Sequence, residues 1–300
     1  MTTSLQHTEL VVITGISGSG KSVAVAALED AGFFCVDNLP PELLHPLVEL
    51  QALNSVNRIA VAIDVRSSRS LPALPAQLLK LRALGVRCKV VYLESLNEVL
   101  IRRFSETRRQ HPLSRDNAST DSRKALIEAI RFERELLAPL RDEALVIDTS
   151  HLKVAELHSH INALLAIRLD QLTLVFESFA FKRGLPMDAD FVFDARMLPN
   201  PHYEPDLRAL TGRDQPVQAF FEAQPSMADM LGHITGFLDH WLPQMRENHR
   251  SYVTVAVGCT GGQHRSVYLV EQLGAHYITD WPTQIRHRML GINETPAPKV

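Results

Sequence analysis

Eight consecutive residues, Gly15-Ile16-Ser17-Gly18-Ser19-Gly20-Lys21-Ser22, match the pattern G-x-x-x-x-G-K-[ST]. Glycines at this spacing can adopt positive φ, so successive N–H groups turn inward toward the oxygens of a phosphate chain. A helix starting directly after the loop adds the partial positive charge of its N-terminus. Lys21 then reaches the β and γ phosphates of a nucleoside triphosphate, and Ser22 coordinates magnesium. A Gly/Ser-rich turn is the plain alternative. The apolar strand at residues 11–14 and the helix pattern at 22–31 supply the setting that the phosphate-binding reading needs and a turn does not.

A second group must hold the magnesium or polarise its water. The run Ile59-Ala60-Val61-Ala62-Ile63-Asp64 delivers a carboxylate from an apolar strand, the Walker-B arrangement. Asp148, after Leu145-Val146-Ile147, and Asp37, after the strand at 33–36, look alike, and strand-end aspartates also serve as helix caps. Lys21, Ser22 and Asp64 are therefore the candidate catalytic set, with Asp37 and Asp148 as rivals. Arg102, Arg103, Arg108 and Arg109 lie on or just beyond one helix, before His111 and Pro112. They read either as a lid that neutralises transferring phosphates or as a solvated basic face.

Nearer the C-terminus, the strand at 252–257 leads into Gly258-Cys259-Thr260-Gly261-Gly262-Gln263-His264-Arg265-Ser266, and a helix follows. This is a second plausible anion cradle. Cys259 and Arg265 have the Cys-x5-Arg spacing of cysteine phosphatases, where a thiolate attacks and loop amides hold phosphate. Gly258 stands where those enzymes carry His, and no general-acid loop can be assigned. Binding of a phosphorylated ligand is the preferred reading over its hydrolysis or a structural loop. Asp194 and His202 flank the irregular Pro199-Asn200-Pro201 segment and are candidates to complete that pocket.

These loops need strands and helices to position them. Up to residue 168, apolar runs at 10–14, 33–36, 59–65, 89–93 and 145–148 alternate with helical stretches at 43–53, 76–84, 96–109 and 121–138. Such alternation requires crossover connections and predicts a doubly wound parallel α/β sheet. A helix at 151–167 closes this first domain, residues 1–168. Residues 169–300 form a second, smaller α/β domain, with strands at 172–176, 191–194 and 252–257 and helices at 227–245 and from 266. Residues 197–216, rich in Pro, Gly and Asp, read as a long functional loop.

The 300 residues are 45% hydrophobic with a net charge of −3, so a globally basic nucleic-acid binder is not indicated. Cys35, Cys88 and Cys259 are scattered and lack paired metal spacing, which implies a reducing compartment. No secretory pattern precedes the first apolar run, and no stretch approaches the roughly 20 apolar residues of a bilayer span. The expectation is a cytoplasmic protein without membrane contact.

The motifs GISGSGKS, FFCVDNLPPELL, AIDVRS, RRFSETRRQHPL, ESFAFKRGLPMDADFVFDARMLPNPHY, LTGRD and VGCTGGQHRSV occur together over almost the whole chain. In this combination the sequence resembles the bacterial RapZ/YvcJ family of P-loop nucleotide-binding proteins. The resemblance implies binding and hydrolysis of ATP and GTP. Gly15, Ile16, Ser17, Gly18, Ser19, Gly20, Lys21 and Ser22 match the ATP loop, and Asp64, Val65, Arg66 and Ser67 the segment assigned to GTP. It also implies a C-terminal domain that senses glucosamine-6-phosphate and, in enterobacterial members, binds small regulatory RNA as an adapter to an endoribonuclease. Asp194, His202, Cys259, Thr260, Gly261, Gly262, His264 and Arg265 match that sugar-phosphate and RNA region. Family members assemble as homo-oligomers.

The enterobacterial RNA-binding form ends in a strongly basic tail, whereas residues 291–300 here hold one Lys and one Glu. Phosphate contacts dominate RNA affinity, so RNA binding stays open. The sequence reading is a regulatory nucleotide-binding protein with slow ATPase and GTPase activity. The alternative is a small-molecule or nucleotide kinase.

Overall fold

The computed structural model describes residues 5, 8–67, 70–107, 110–113, 122–142, 144–165, 172–247, 250 and 252–290. The chain divides into two compact units, residues 1–170 and 171–300. The expected domain border, Arg108, Arg109 and the terminal tail lie outside the described residues.

In the first unit, β1 (Glu9–Gly15), β2 (Phe34–Val36), β3 (Arg58–Ala62), β4 (Arg87–Glu94) and β5 (Leu145–Asp148) form one sheet in the order β2-β3-β1-β4-β5. Every pairing is parallel. The strands are apolar on both faces because helices cover both sides. Leu10, Val12, Ile59, Val61, Val90 and Tyr92 join Leu44, Leu74, Leu78, Ile130 and Leu137 in one buried core. The covering helices are α1 (Lys21–Asp30), α2 (Leu44–Leu53), α3 (Leu74–Ala83), α4 (Asn97–Thr107), α5 (Ser122–Arg141) and α6 (Val154–Leu165). β1 lies between β3 and β4, so the chain leaves it at the point where strand order reverses. In open α/β sheets the ligand crevice sits there, beyond the carboxyl ends of the strands.

Three elements have an end three residues away from the sequence expectation: β3, α5 and α6, which starts at Val154 rather than 151. β3 stops at Ala62 rather than running through Val65; Ile63 still bonds the Ile13 carbonyl, and beyond it the Asp64 carboxylate accepts the Arg66 N–H at 2.9 Å across the 3-10 turn at Val65–Ser67. α5 continues past residue 138 to Arg141, through Pro139.

In the second unit, β6 (Thr173–Ala180), β7 (Phe191–Asp194), β8 (Tyr252–Cys259) and β9 (Thr283–His287) form a parallel sheet in the order β7-β8-β6-β9. Helices α7 (Gln215–Glu222), α8 (Pro225–Glu247) and α9 (Arg265–Tyr277) accompany it. Phe176, Val253, Val255, Phe221, Ile234, Leu238, Leu269 and Leu273 build its core. Two of these elements were not read from sequence. α7 begins inside the stretch read as loop, with Thr211 and Asp214 bonded to each other at its start. β9 is an edge strand with a single aliphatic residue, Ile285, so its pattern was weak.

Candidate functional site

The phosphate loop begins where β1 ends. Gly15 has φ 131°, and a Cβ there would collide with the Leu93 backbone of the neighbouring strand. Only glycine satisfies both demands. Gly18 and Gly20 also have positive φ, and Gly20 caps α1. The first N–H groups of α1, at Lys21 and Ser22, have no intrahelical acceptor, which leaves them available to an anion. Lys21 folds back so that its ammonium donates to the Gly15 carbonyl at 2.5 Å. Burial lowers its pKa, while the charges of Glu133 and Asp64 oppose the shift. Ser22 is exposed at the helix start.

Three side chains from elsewhere grip this loop. Arg103 of α4 donates to the Gly18 carbonyl at 3.0 Å, and to the Thr149 hydroxyl and carbonyl at 3.2 and 2.7 Å. Thr149 in turn donates to the Ser19 carbonyl at 2.8 Å. From α5, Glu133 accepts the Ser17 N–H at 2.9 Å and its hydroxyl at 2.7 Å. His111 meets the same carboxylate at 2.9 Å. Arg103 is thus a brace of the loop in this conformation, whichever role its neighbours Arg108 and Arg109 take.

The three candidate aspartates separate by environment. Asp64 is nearly buried, and its charge acts on Lys21. Asp37 is exposed and also acts on Lys21, more weakly. Asp148 binds the Ser150 N–H at 2.9 Å and the Ser150 hydroxyl, and its charge acts on Arg103. Among the described residues no cluster of three His, Cys, Asp or Glu side chains can hold a metal. A hydroxyl at Ser22 and a carboxylate at Asp64 fit magnesium, which binds through one or two side chains plus substrate phosphates and keeps its waters. Val65, Arg66 and Ser67 form the 3-10 turn beside Asp64, with Arg66 exposed and paired to it at 3.7 Å.

The second unit brings its expected residues to the carboxyl ends of β7 and β8. Asp194 lies in register with Gly258, and the Ala195 N–H donates to the Gly258 carbonyl at 2.8 Å. A Cβ at Gly258 would strike the rings of Phe179 and Phe181, so the histidine of the phosphatase pattern has no room. The Cys259 thiol is buried, accepts the Gly262 N–H at 3.2 Å and sits 3.2 Å from the Ser266 hydroxyl. Burial pushes the other two thiols up, Cys35 to about 11 and Cys88 to about 12, which makes them poor nucleophiles.

Arg265 is buried. One terminal nitrogen donates to the Arg196 and Leu198 carbonyls at 2.7 and 3.0 Å, and its Nε has no hydrogen-bond partner. A buried donor left over in this way is what an absent acceptor would explain. His264 meets the Leu207 carbonyl at 3.2 Å; burial lowers its pKa, and the charges of His202 and Arg265 act in the same sense. The Gly212 N–H donates to the Gln263 carbonyl at 2.9 Å. Residues 195–214 are therefore tied along the 258–265 loop. Asp194 pairs with Arg196 at 2.7 Å at the edge of this group, while Thr260 is exposed and Gly261 half-buried.

A family profile described as the RapZ-like N-terminal domain matches residues 8–168, and one described as the RapZ C-terminal domain matches residues 172–291. The chain belongs to the RapZ family. A relative named nucleotide-binding protein, from Acidovorax ebreus (strain TPSY), is 61% identical over 282 residues, covering 94% of this chain and 98% of its own. Another of the same name, from Albidiferax ferrireducens, is 57% identical over 293 residues, covering 97% of each. Among solved structures, shikimate kinase from Acinetobacter baumannii in complex with shikimate is 17% identical, with a TM-score of 0.36 over 54% of this chain and 94% of that one. At that score the likeness carries no functional argument.

The RapZ-family loop contains groups that motif spacing did not single out. Glu133 is one of many charges on α5, yet it falls between Ile130 and Leu137 on the buried face. An acidic residue at apolar helical spacing was the available signal. Thr149 carried none, since its role depends on β5 ending opposite the loop. No helix among the described residues is long and apolar enough to cross a membrane.

Proposed function

We propose that the first unit binds a nucleoside triphosphate, ATP or GTP, with magnesium, and hydrolyses it slowly in a regulatory role. The observation that carries this is the glycine loop from β1 to α1, held open at its helix end while Arg103, Thr149 and Glu133 fasten its other carbonyls and amide. Lys21 would swing from the Gly15 carbonyl onto the outer phosphates. Ser22 and Asp64 would hold the magnesium, which offsets phosphate charge when bound. Asp64 to Ser67 are the segment that would favour the guanosine form. Lys21→Ala should abolish binding of both nucleotides in titration calorimetry, and unchanged binding would end this assignment.

For the second unit, the reading is a sensor of a phosphorylated amino sugar, glucosamine-6-phosphate, at Asp194, His202, Cys259 to Gly262, His264 and Arg265. The unpartnered Nε of Arg265 beside a glycine loop supports it. Titration of glucosamine-6-phosphate into the full chain, with glucosamine as control, tests it: binding that does not need the phosphate would sink it. Adapter binding of small RNA to an endoribonuclease, and assembly into homo-oligomers, belong to the same reading. A kinase is the second reading, favoured by the exposed Asp37 carboxylate acting on Lys21, where it could deprotonate an acceptor. It requires phosphate transfer to an acceptor other than water, detectable by mass spectrometry.

A further inference from the structure

The phosphate loop already holds an anion of its own. Glu133 takes both the N–H and the hydroxyl of Ser17, one with each carboxylate oxygen. His111 Nε2 bonds the carboxylate at 2.9 Å, and both side chains are fully shielded from solvent. The Leu113 N–H donates to His111 Nδ1 at 3.2 Å. Both ring nitrogens are thus engaged, which fixes the orientation of the imidazole against the carboxylate. Burial alone would raise the pKa of Glu133, but the His111 bond, the Lys21 charge and the Ser17 amide bring it below the ordinary value.

Position says which phosphate would meet this charge. The N–H groups at the start of α1 cradle the inner phosphates, and the loop lysine serves the outer ones. Among the charges acting on Lys21, that of Glu133 is the strongest. Lys21 itself rests on the Gly15 carbonyl, and Glu133 grips Ser17 two residues further along the loop, ahead of the helix start and on a loop amide that an anion would otherwise engage.

We propose that Glu133, oriented by His111, is a specificity-determining residue that sets how many phosphates the loop accepts. A nucleoside diphosphate leaves the Glu133–Ser17 clasp in place. The terminal phosphate of a triphosphate meets the carboxylate and has to displace it from Ser17. The proposal rests on residues 15–22 being the nucleotide site.

The test is calorimetric titration of the full chain, in magnesium, with adenosine diphosphate and with a non-hydrolysable adenosine triphosphate analogue. Glu133→Gln keeps the shape and removes the charge. It should tighten triphosphate binding about tenfold while diphosphate binding changes less than about twofold. Ser17→Ala, which removes only the hydroxyl half of the clasp, should shift the same ratio in the same direction by about threefold. It serves as the second reading should Glu133→Gln fail to fold. Weakening of both nucleotides to the same extent, or an unchanged ratio, would overturn the proposal and leave Glu133 as a mere brace. A wild-type chain that binds neither nucleotide would overturn the nucleotide-site reading beneath it.

Discussion

Replacing Arg103 with Ala separates a structural brace from a phosphate-handling lid. The side chain makes three hydrogen bonds from a charged donor, to the Gly18 carbonyl and to both oxygens of Thr149. Charge-assisted bonds of this type are worth about 1.5–3 kcal/mol each when dry. Water can reach the Gly18 carbonyl once the guanidinium is gone, and the three bonds share one group. A net loss of about 2 kcal/mol is therefore reasonable. For a unit of this size that lowers the midpoint of thermal unfolding by about 4–8 °C. The assay is circular dichroism melting of the full chain without nucleotide, following the transition of the first unit. A lid arginine that acted only on phosphate would leave that ligand-free melting point in place and weaken nucleotide binding alone. A shift smaller than about 1 °C would refute the brace.

Arg265→Ala should abolish sugar-phosphate binding and also loosen residues 196–198, whereas Cys259→Ser should retain binding; calorimetry of the two variants decides it. His264 is held neutral by burial, so its folded pKa lies below the ordinary 6.5. Its contribution to stability is complete above that value and is lost as pH falls toward the folded pKa. Denaturant titrations from neutral to mildly acidic pH should show a shallower slope in His264→Gln than in wild type, since His287, whose pKa burial also lowers, still contributes. Restoring the phosphatase histidine with Gly258→His drives a side chain into Phe179 and Phe181. That should cost about 3 kcal/mol in urea unfolding without creating phosphatase activity, and a well-folded variant with wild-type stability would contradict the packing argument.

Local pattern was enough for the first sheet and for the loop that starts at Gly15. Buried parallel strands read as unbroken apolar runs, and a glycine loop between strand and helix has few other uses. The same reasoning placed β8 and the glycine loop after it. It failed at β9 and α7, where a polar edge strand and a short helix inside a Pro- and Gly-rich stretch have little pattern of their own. It also read Asp64 as part of a strand, whereas β3 ends at Ala62 and the Asp64 carboxylate accepts the Arg66 N–H in the turn that follows.

What the sequence determined alone was therefore the set of groups adjacent along the chain: the two glycine loops, Lys21, Ser22 and the cysteine–arginine spacing. Only the tertiary structure decided which distant groups meet them. Ser17 and Glu133 are separated by 116 residues, and Ser19 and Thr149 by 130. Contacts of that separation depend on strand order and helix placement, which no local period encodes. Arg265 makes the same point from the opposite side. Its spacing from Cys259 is legible in the chain, but its commitment to the Arg196 and Leu198 carbonyls depends on β7 pairing with β8.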